Sequence, residues 1–318
     1  MPSLKSRLVA FVLKHTRKKA FASAEGMQRW IAKSRKTQDH RPPALLSRRL
    51  AIAQHEVCGF PVYEVEPLSG VGPMRILYLH GGAYVFEITP FHWGLIAELA
   101  ERLGAHVTVP IYPLAPEHDF NAMYAMVSEV YRGMLSGTHP ADIVFVGDSA
   151  GGNMAVVLTM MAAAEGLPAP SRHVLISPGL DMSLANPEVF AVEKRDPWLG
   201  VPGGLEAVRL YAPDMDRTDW RISPLYGDLS VLPPTLLFTG GRDILNPDTI
   251  LFAERARAAG VVVELVNEPD MIHVWPLIGM PEAKMARNRM VEFLQSPGKA
   301  SRAETARAAD QPGRAAAG

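Results

Sequence analysis

Short apolar runs alternate with helical segments along most of this 318-residue chain. Residues 144–146 and 236–238 are uninterrupted apolar runs, which is typical of strands buried on both faces of a sheet. The N-terminal region instead has helical periodicity, because Leu4, Leu8 and Phe11 are spaced three or four positions apart. Further along the chain, strands and helices alternate, which predicts an α/β fold with a mostly parallel central sheet covered by helices on both faces.

The individual elements can be assigned from the same pattern. We expect the N-terminal helical region to extend from residue 4 to about residue 35, ahead of the first sheet strand. Predicted strands lie at 60–68, 74–79, 105–109, 143–147, 173–177, 235–239 and 261–266, and predicted helices at 91–103, 122–135, 153–165, 247–259 and 282–294.

Three parts of the chain depart from this alternation. The helical segment at 1–50 precedes the sheet and is available to cover part of it, so we interpret it as a cap segment. Residues 180–225 are rich in Pro, Gly, Asp and aromatic side chains and are long for a loop, which indicates a cap insertion within an α/β domain at 51–295. The tail at 296–318 has almost no bulky apolar residue, and we expect it to be disordered.

The composition is that of an ordinary globular protein, with 48% hydrophobic and 20% charged residues. No stretch approaches 18 uncharged apolar residues, so no transmembrane segment is predicted. The short apolar run at 8–13 is not followed by a signal-peptide cleavage site. Cys58 is the only cysteine, which excludes an intramolecular disulfide and suits the reducing cytoplasm, the predicted location.

Charge is distributed unevenly, although the net charge is only −1. Residues 1–50 contain thirteen Lys and Arg against Glu25 and Asp39, a net charge of +11 that leaves −12 for the remainder. Two interpretations stay open: peripheral contact with an anionic membrane surface, or a solvated helix face that packs against an acidic body. No nucleic-acid-binding motif accompanies the basic residues, so nucleic acid is not an expected partner.

The most informative motif is Gly147-Asp148-Ser149-Ala150-Gly151, which lies between a predicted strand and a predicted helix. A serine hydroxyl is a weak nucleophile, so it must stand at a sharp turn where a base can reach it, and the small neighbours allow such a turn. Amides at the start of the following helix would also favour a developing oxyanion. Ser149 is therefore the candidate nucleophile.

A second glycine-rich turn, His80-Gly81-Gly82-Ala83-Tyr84, follows another predicted strand. Backbone N–H groups in such a turn can approach a carbonyl oxygen that becomes negative during acyl transfer. We expect Gly81, Gly82 and Ala150 to form the oxyanion hole. A purely structural glycine turn is the alternative interpretation.

The base and its orienting acid are sought at the carboxyl ends of the remaining strands. Asp243 follows the predicted strand at 235–239, and His273 follows the one at 261–266. The order Ser149, Asp243, His273 is the order found in α/β hydrolases.

Other residues compete for these two roles. Asp248 stands where a helix begins and is expected to cap it, whereas Asp270 is too near His273 along the chain to orient it. His80 is expected to brace its glycine turn. His92 and His118 remain alternative bases.

Together these segments resemble the hormone-sensitive-lipase-like branch of the α/β-hydrolase serine esterases, from about residue 75 to residue 293. The resemblance rests on the His-Gly-Gly turn, on the Gly-Asp-Ser-Ala-Gly-Gly motif and on residues 112–118 (Tyr-Pro-Leu-Ala-Pro-Glu-His). It implies a catalytic triad of Ser149, Asp243 and His273, an α/β-hydrolase catalytic domain at 51–295, a helical cap and no cofactor or metal. Three departures from the family pattern are Ala83 where glycine is usual, Ile111 and Pro113 around the tyrosine, and Ile244 after the acid.

The resemblance further implies a carboxylesterase that hydrolyses small esters with short to medium acyl chains through an acyl-enzyme. Ala83, Tyr84, Asp148 and Trp198 are the candidate substrate-binding residues. An N-acetyl (amide) deacetylase with the same triad and a ligand-binding relative without catalysis are the alternatives.

Overall fold

The computed structural model of the protein describes residues 2–296. An eight-stranded sheet forms its centre, with strands in the order β1-β2-β4-β3-β5-β6-β7-β8. Strand β2 is antiparallel to β1 and β4, and all other neighbours are parallel, so the predicted mostly parallel sheet is confirmed. The strands are β1 Leu50–Val57, β2 Phe60–Pro67, β3 Arg75–Leu79, β4 His106–Pro110, β5 Ile143–Asp148, β6 Arg172–Ile176, β7 Thr235–Arg242 and β8 Val263–Ile272.

Helices cover both faces of this sheet, as predicted. Side chains of β5 illustrate the two layers, because Ile143 and Phe145 join the core on one face while Val144 and Val146 join the core on the other. Helices α5, α6 and α9 pack on the first face, and α4 and α10 pack on the second. The helices are α1 Leu4–His15, α2 Lys18–Phe21, α3 Ala24–Ser34, α4 Pro90–Leu103, α5 Phe120–Gly137, α6 Ala150–Ala164, α7 Pro187–Glu193, α8 Val201–Tyr211, α9 Asn246–Ala258 and α10 Pro281–Gln295.

The structure differs from the sequence-based assignment at three elements. Strand β1 was not predicted, because this edge strand exposes most of its side chains and so lacks a clear apolar pattern. Helix α6 begins at Ala150 and not at Asn153, and its Gly151 packs closely against the end of β3. Strand β8 runs to Ile272, six residues beyond the predicted end.

Two separate parts of the chain lie over the carboxyl end of the sheet: helices α1 to α3, and the inserted helices α7 and α8. Gln28 on α3 donates a hydrogen bond of 2.6 Å to Glu206 on α8, which joins the two parts. The Asn153 side chain on α6 donates to the carbonyls of Gly179 (2.7 Å) and Ile222 (2.8 Å), near the two ends of the insertion. The inserted helices are therefore attached directly to the helix that follows Ser149.

No helix among residues 2–296 is long and apolar enough to cross a bilayer. Apart from Ser296, the tail at 296–318 lies outside the described residues, so its expected disorder stays a prediction.

Candidate active site

Ser149 occupies a strained turn between β5 and α6. Its backbone has φ 52° and ψ −118°, a conformation that L-residues rarely adopt. The serine N–H donates to the carbonyl of Ile176 on the neighbouring strand β6 (2.8 Å), which helps to hold the turn. The result is a hydroxyl directed away from the sheet at the start of a helix.

The three predicted triad side chains lie in a hydrogen-bonded chain. His273 Nε2 is 3.0 Å from Ser149 Oγ, and His273 Nδ1 is 2.9 Å from Asp243 Oδ2. The other oxygen of Asp243 accepts the backbone N–H of Leu245 at 3.0 Å. The imidazole is 3% exposed and the carboxylate is fully buried, so water does not compete for these bonds.

The strand order explains why these residues meet. Ser149 follows β5, Asp243 follows β7 and His273 follows β8, all at the carboxyl edge of the sheet. The Val274 N–H donates to Ser177 Oγ (3.1 Å), so the chain after β8 is attached to the residue after β6. This bond restricts the position of the imidazole.

Burial alone would lower the pKa of His273, but the Asp243 carboxylate outweighs it, and the net pKa lies above the ordinary value. The ring nitrogen that faces Ser149 can therefore accept a proton and hold it next to a buried negative charge. This electrostatic arrangement suits a general base.

The glycine turn after β3 presents backbone amides beside Ser149, but the Gly81 amide is already engaged. Its N–H donates to Asp148 Oδ1 at 3.1 Å, so the geometry does not support Gly81 as an oxyanion donor. Among the described residues, no group accepts a hydrogen bond from the N–H of Gly82 or Ala83. Together with Ala150 at the start of α6, these two amides are the available donors.

Ala83 adopts φ 53°, and Tyr84 also has positive φ. This backbone region favours glycine, the residue that the family resemblance leads us to expect where Ala83 stands. The turn therefore retains its shape here at some cost in strain.

His80 braces the turn, as expected. Its Nδ1 donates to the Gly81 carbonyl (2.7 Å), and the Tyr112 hydroxyl donates to the His80 carbonyl (2.6 Å) while the two rings stack at 4.3 Å. Burial lowers the pKa of His80 to about 3, so its ring stays neutral. Tyr112 thus supports the turn through its own hydroxyl.

Asp148 was expected to contact substrate, but its carboxylate bonds to protein groups. Oδ1 accepts from the Tyr78 hydroxyl and from the Gly81 amide, both at 3.1 Å, and Oδ2 lies 3.2 Å from His92 Nε2. Burial opposes ionisation, yet the interaction with His92 outweighs it and lowers the pKa of Asp148. Asp148 lines the cavity but is occupied in joining the serine turn to the glycine turn.

The competing residues have other partners. His92 contacts Thr89 and Asp148, and His118 is exposed with its ring edge-on to Phe60. Asp248 does not cap α9 as expected, since it accepts instead from the Asn186 side chain of the insertion (2.7 Å). None of these side chains is hydrogen-bonded to Ser149 or His273.

A cavity of about 640 Å³ lies over Ser149 and His273, within the size range of small-molecule sites. Helices α1 to α3, the insertion and the loops at the sheet edge all contribute to its walls. Three of the candidate substrate-binding residues, Ala83, Tyr84 and Trp198, line it, with Tyr84 stacked on Tyr211 at 3.7 Å and Trp198 edge-on to His273 at 5.6 Å. Other apolar wall residues are Leu13, Phe21, Met182, Leu184, Val208 and Leu245.

One acidic residue beside the triad was not singled out from the sequence. Asp196 in the insertion is buried, and its Oδ2 accepts the N–H of Ile244, the residue after Asp243 (2.9 Å). The only sequence signal was an acid before a proline in a loop, which is common in exposed turns.

Comparison with known proteins agrees with this fold. A family model described as the alpha/beta hydrolase fold matches residues 76–277. An esterase of Acinetobacter venetianus is 34% identical over 229 residues, which span 70% of this chain and 74% of the relative. A carboxylesterase of Mycobacterium tuberculosis is 31% identical over 270 residues, spanning 80% of this chain and 83% of the relative.

Solved structures give the same result. The crystal structure of an esterase from the bacterial hormone-sensitive lipase family superposes with a TM-score of 0.80 at 28% identity, covering 93% of this chain and 98% of that one. The family match extends over more than half of the sequence, from β3 to the segment after His273. The chain therefore belongs to the α/β-hydrolase family, among the hormone-sensitive-lipase-like esterases.

Proposed function

We propose that the protein is a serine carboxylesterase in which Ser149, His273 and Asp243 act as the catalytic triad. The observation that carries the proposal is the continuous hydrogen-bonded chain from Ser149 Oγ through His273 to Asp243 at the floor of an apolar cavity. The names of the relatives, which include an esterase, a carboxylesterase and an ethyl acetate hydrolase of Pseudomonas putida, support ester hydrolysis as the reaction.

In the proposed reaction, His273 Nε2 takes the proton of Ser149 as Oγ attacks the ester carbonyl carbon. The carbonyl oxygen becomes negative and receives hydrogen bonds from the amides of Gly82, Ala83 and Ala150. Protonated His273, stabilised by Asp243, then gives its proton to the departing alcohol oxygen as the C–O bond breaks. Water repeats the sequence on the acyl-enzyme and releases the acid and free Ser149.

Short to medium acyl chains are the proposed substrates. Two parts of the chain help to form the walls of the cavity of about 640 Å³. We propose them as the cap, with residues 1–50 and 180–225 covering a catalytic domain at 51–295. The mainly apolar walls favour an acyl or alcohol group without charge. Names such as acetyl-hydrolase and ethyl acetate hydrolase among the relatives support small esters.

A series of p-nitrophenyl esters from acetate to palmitate tests this function, with Ser149→Ala as the matched control. We expect maximal kcat/KM at short or medium chain length, and a loss of at least about 10³-fold in the variant. Equal turnover by the Ser149→Ala protein would contradict the triad, and maximal activity on emulsified long-chain triglyceride would contradict the chain length.

The same triad would serve an amide deacetylase, and a binding protein could keep the fold without catalysis. An N-acetyl substrate panel separates the first alternative, because a deacetylase should prefer amides to matched esters. A fluorophosphonate probe separates the second, because it labels only an activated serine.

We further propose that the protein acts in the cytoplasm and that α1 rests on an anionic membrane surface. Leu4, Leu8 and Phe11 share one face of α1 and are 81%, 62% and 61% exposed. The opposite face, with Ser6 and Ala10, is buried against the body of the protein. An outward apolar stripe on a surface helix is typical of interfacial contact with lipid.

Charge supports lipid as the occupant of this face. Lys5, Arg7 and Lys14 are exposed along the edges of the stripe. Residues 1–50 carry a net charge of +11 and the remainder carries −12. Because anionic headgroups attract the first and repel the second, they would orient the N-terminal region toward the membrane. Leu8 also lines the cavity above Ser149, so the apolar stripe is continuous with the substrate site.

Vesicle sedimentation tests the contact with the full-length protein. Binding should be stronger to phosphatidylglycerol-containing vesicles than to phosphatidylcholine vesicles and should weaken several-fold with salt. Leu8→Ser with Phe11→Ser should abolish it, whereas Val71→Ser, at another exposed apolar position, should not. Equal binding by both variants, or dimerisation through α1 without vesicle binding, would contradict the proposal.

A further inference from the structure

Asp196 joins the insertion to the loop that carries the triad acid. It lies between α7 and α8 and is 4% exposed. Its Oδ1 accepts the backbone N–H groups of Trp198 (2.7 Å) and Leu199 (2.8 Å), and its Oδ2 accepts the N–H of Ile244 (2.9 Å). One buried carboxylate thus connects two segments that are about 50 residues apart in sequence.

The same carboxylate also reaches the imidazole indirectly. By holding the backbone at Trp198, Asp196 places the indole edge-on to the His273 ring, with centroids 5.6 Å apart and an interplanar angle of 83°. The indole limits movement of the imidazole on the side where the ring is not bonded to Ser149 or Asp243. Asp243 and His273 are therefore each next to a residue whose backbone N–H is bonded to Asp196: Ile244 follows Asp243, and Trp198 lies beside His273.

We propose that Asp196 is a positioning residue, which orients Asp243 through Ile244 and His273 through Trp198. The inference rests on the esterase function proposed above and extends it, because it makes the insertion part of the activating machinery and not only a wall of the cavity. Movement of the insertion would then change the reactivity of Ser149.

Charge gives this role a measurable signature. His273 is faced by carboxylates from three elements: Asp243 from the loop after β7, Asp196 from the insertion and Asp148 from β5. Burial and the nearby Asp243 carboxylate raise the pKa of Asp196 to about 7. Ionised Asp196 in turn helps to raise the pKa of His273, so its removal should let His273 lose its proton at lower pH.

The experiment compares the pH dependence of kcat/KM for p-nitrophenyl butyrate in the wild type and in Asp196→Asn. The amide retains an oxygen for Trp198 and Leu199 but turns an NH₂ group toward the Ile244 N–H, which breaks the connection to the acid loop. We expect kcat/KM to fall about tenfold, and the acid limb of its pH profile to move to lower pH by about half a unit. A purely structural role would lower activity at every pH and leave the limb in place.

Asp248→Asn is the matched control. Asp248 is also a buried acid that joins the insertion to the segment after β7, through Asn186, but it is not bonded to the triad loop. The acid limb of this variant should coincide with that of the wild type. An equal shift in both variants would overturn the proposal.

Two further measurements separate failure of this inference from failure of the proposed function. The rate of fluorophosphonate labelling, measured against pH, reports the reactivity of Ser149 without an ester substrate. If the wild type is labelled but hydrolyses no ester, only the proposed esterase function is contradicted. Asp196→Ser keeps a short acceptor for Trp198 and Leu199 but cannot reach Ile244, and its labelling profile should move as that of Asp196→Asn does. An unmoved profile, or loss of fold in both variants, would overturn the positioning role.

Discussion

Asp148 and Gly81 are joined by a hydrogen bond of 3.1 Å from the glycine N–H to carboxylate Oδ1. Asp148 is the last residue of β5, and Gly81 lies in the turn that follows the adjacent strand β3. A Cβ atom on Gly81 would lie 2.2 Å from Asp148 Oδ2, so only glycine permits this approach. The position of the turn that carries the free amides thus depends on the residue before the nucleophile.

Asp148→Asn should therefore impair the stabilisation of the transition state. His92 Nδ1 accepts the N–H of Thr89, so His92 Nε2 is the ring nitrogen that donates to residue 148. The single carbonyl oxygen of asparagine cannot accept from Gly81, Tyr78 and His92 together. We expect kcat to fall about 10²-fold with a smaller change in KM, as when an oxyanion donor is displaced. Tyr78→Phe removes one bond to Asp148 and keeps the Gly81 contact, so it should cost less than about tenfold. Equal kcat in wild type and Asp148→Asn would contradict this role.

The pH profile should report the raised pKa of His273. The base must be neutral to accept the serine proton, so kcat/KM should fall as pH decreases through a value above the ordinary 6.5. In Asp243→Asn the stabilising charge is lost, and the limb should move to lower pH while kcat falls about 10⁴-fold. Stopped assays with p-nitrophenyl butyrate across the pH range measure both the position of the limb and the fall in kcat. An unmoved limb in Asp243→Asn would show that another group titrates.

Gly151→Ala should prevent correct packing of α6. The new Cβ would lie 1.9 Å from the carbonyl oxygen of Leu79, a backbone atom that cannot move aside without displacing β3. We expect a lower Tm and loss of activity together. Gly133→Ala on α5 is the matched control, because no heavy atom beyond the backbone of its own helix lies within 4 Å of its Cβ position and alanine favours a helix by about 0.5–1 kcal/mol. A Gly151→Ala protein with the Tm of the wild type would contradict the close packing.

Stability should depend on pH through His106. Its Nε2 bonds to Glu64 and its Nδ1 lies 2.9 Å from Glu66. The hydrogen bond to Glu64 is the main cause of a pKa above the ordinary value of 6.5. Because the folded state holds this proton more tightly, the stabilisation is complete below about pH 6.5 and is lost as pH rises through the higher folded-state pKa.

Urea unfolding of wild type and His106→Gln from about pH 5.5 to about pH 9 measures this difference. The two free energies of unfolding should converge as pH rises. His118→Gln, at an exposed histidine, should follow the wild type throughout. Parallel curves for wild type and His106→Gln would contradict the prediction.

The sequence alone determined the fold class and the three residues of the proposed triad. Uninterrupted apolar runs such as Val144 to Val146 must be buried on both sides, and that requirement specifies a helix-covered parallel sheet. Parallel strands place their carboxyl ends at one edge, so Ser149, Asp243 and His273 could be grouped from chain order. The inference of the fold class succeeds because burial is a local property of the pattern.

Only the tertiary structure decided which amides are free and which acids surround the imidazole. Gly81 and Gly82 look equivalent in sequence, but Asp148 engages the amide of the first and leaves that of the second available. Asp196 approaches the triad from a segment with no periodic pattern. Such contacts join residues distant in sequence, and they depend on distances of a few ångströms that hydrophobic periodicity does not encode.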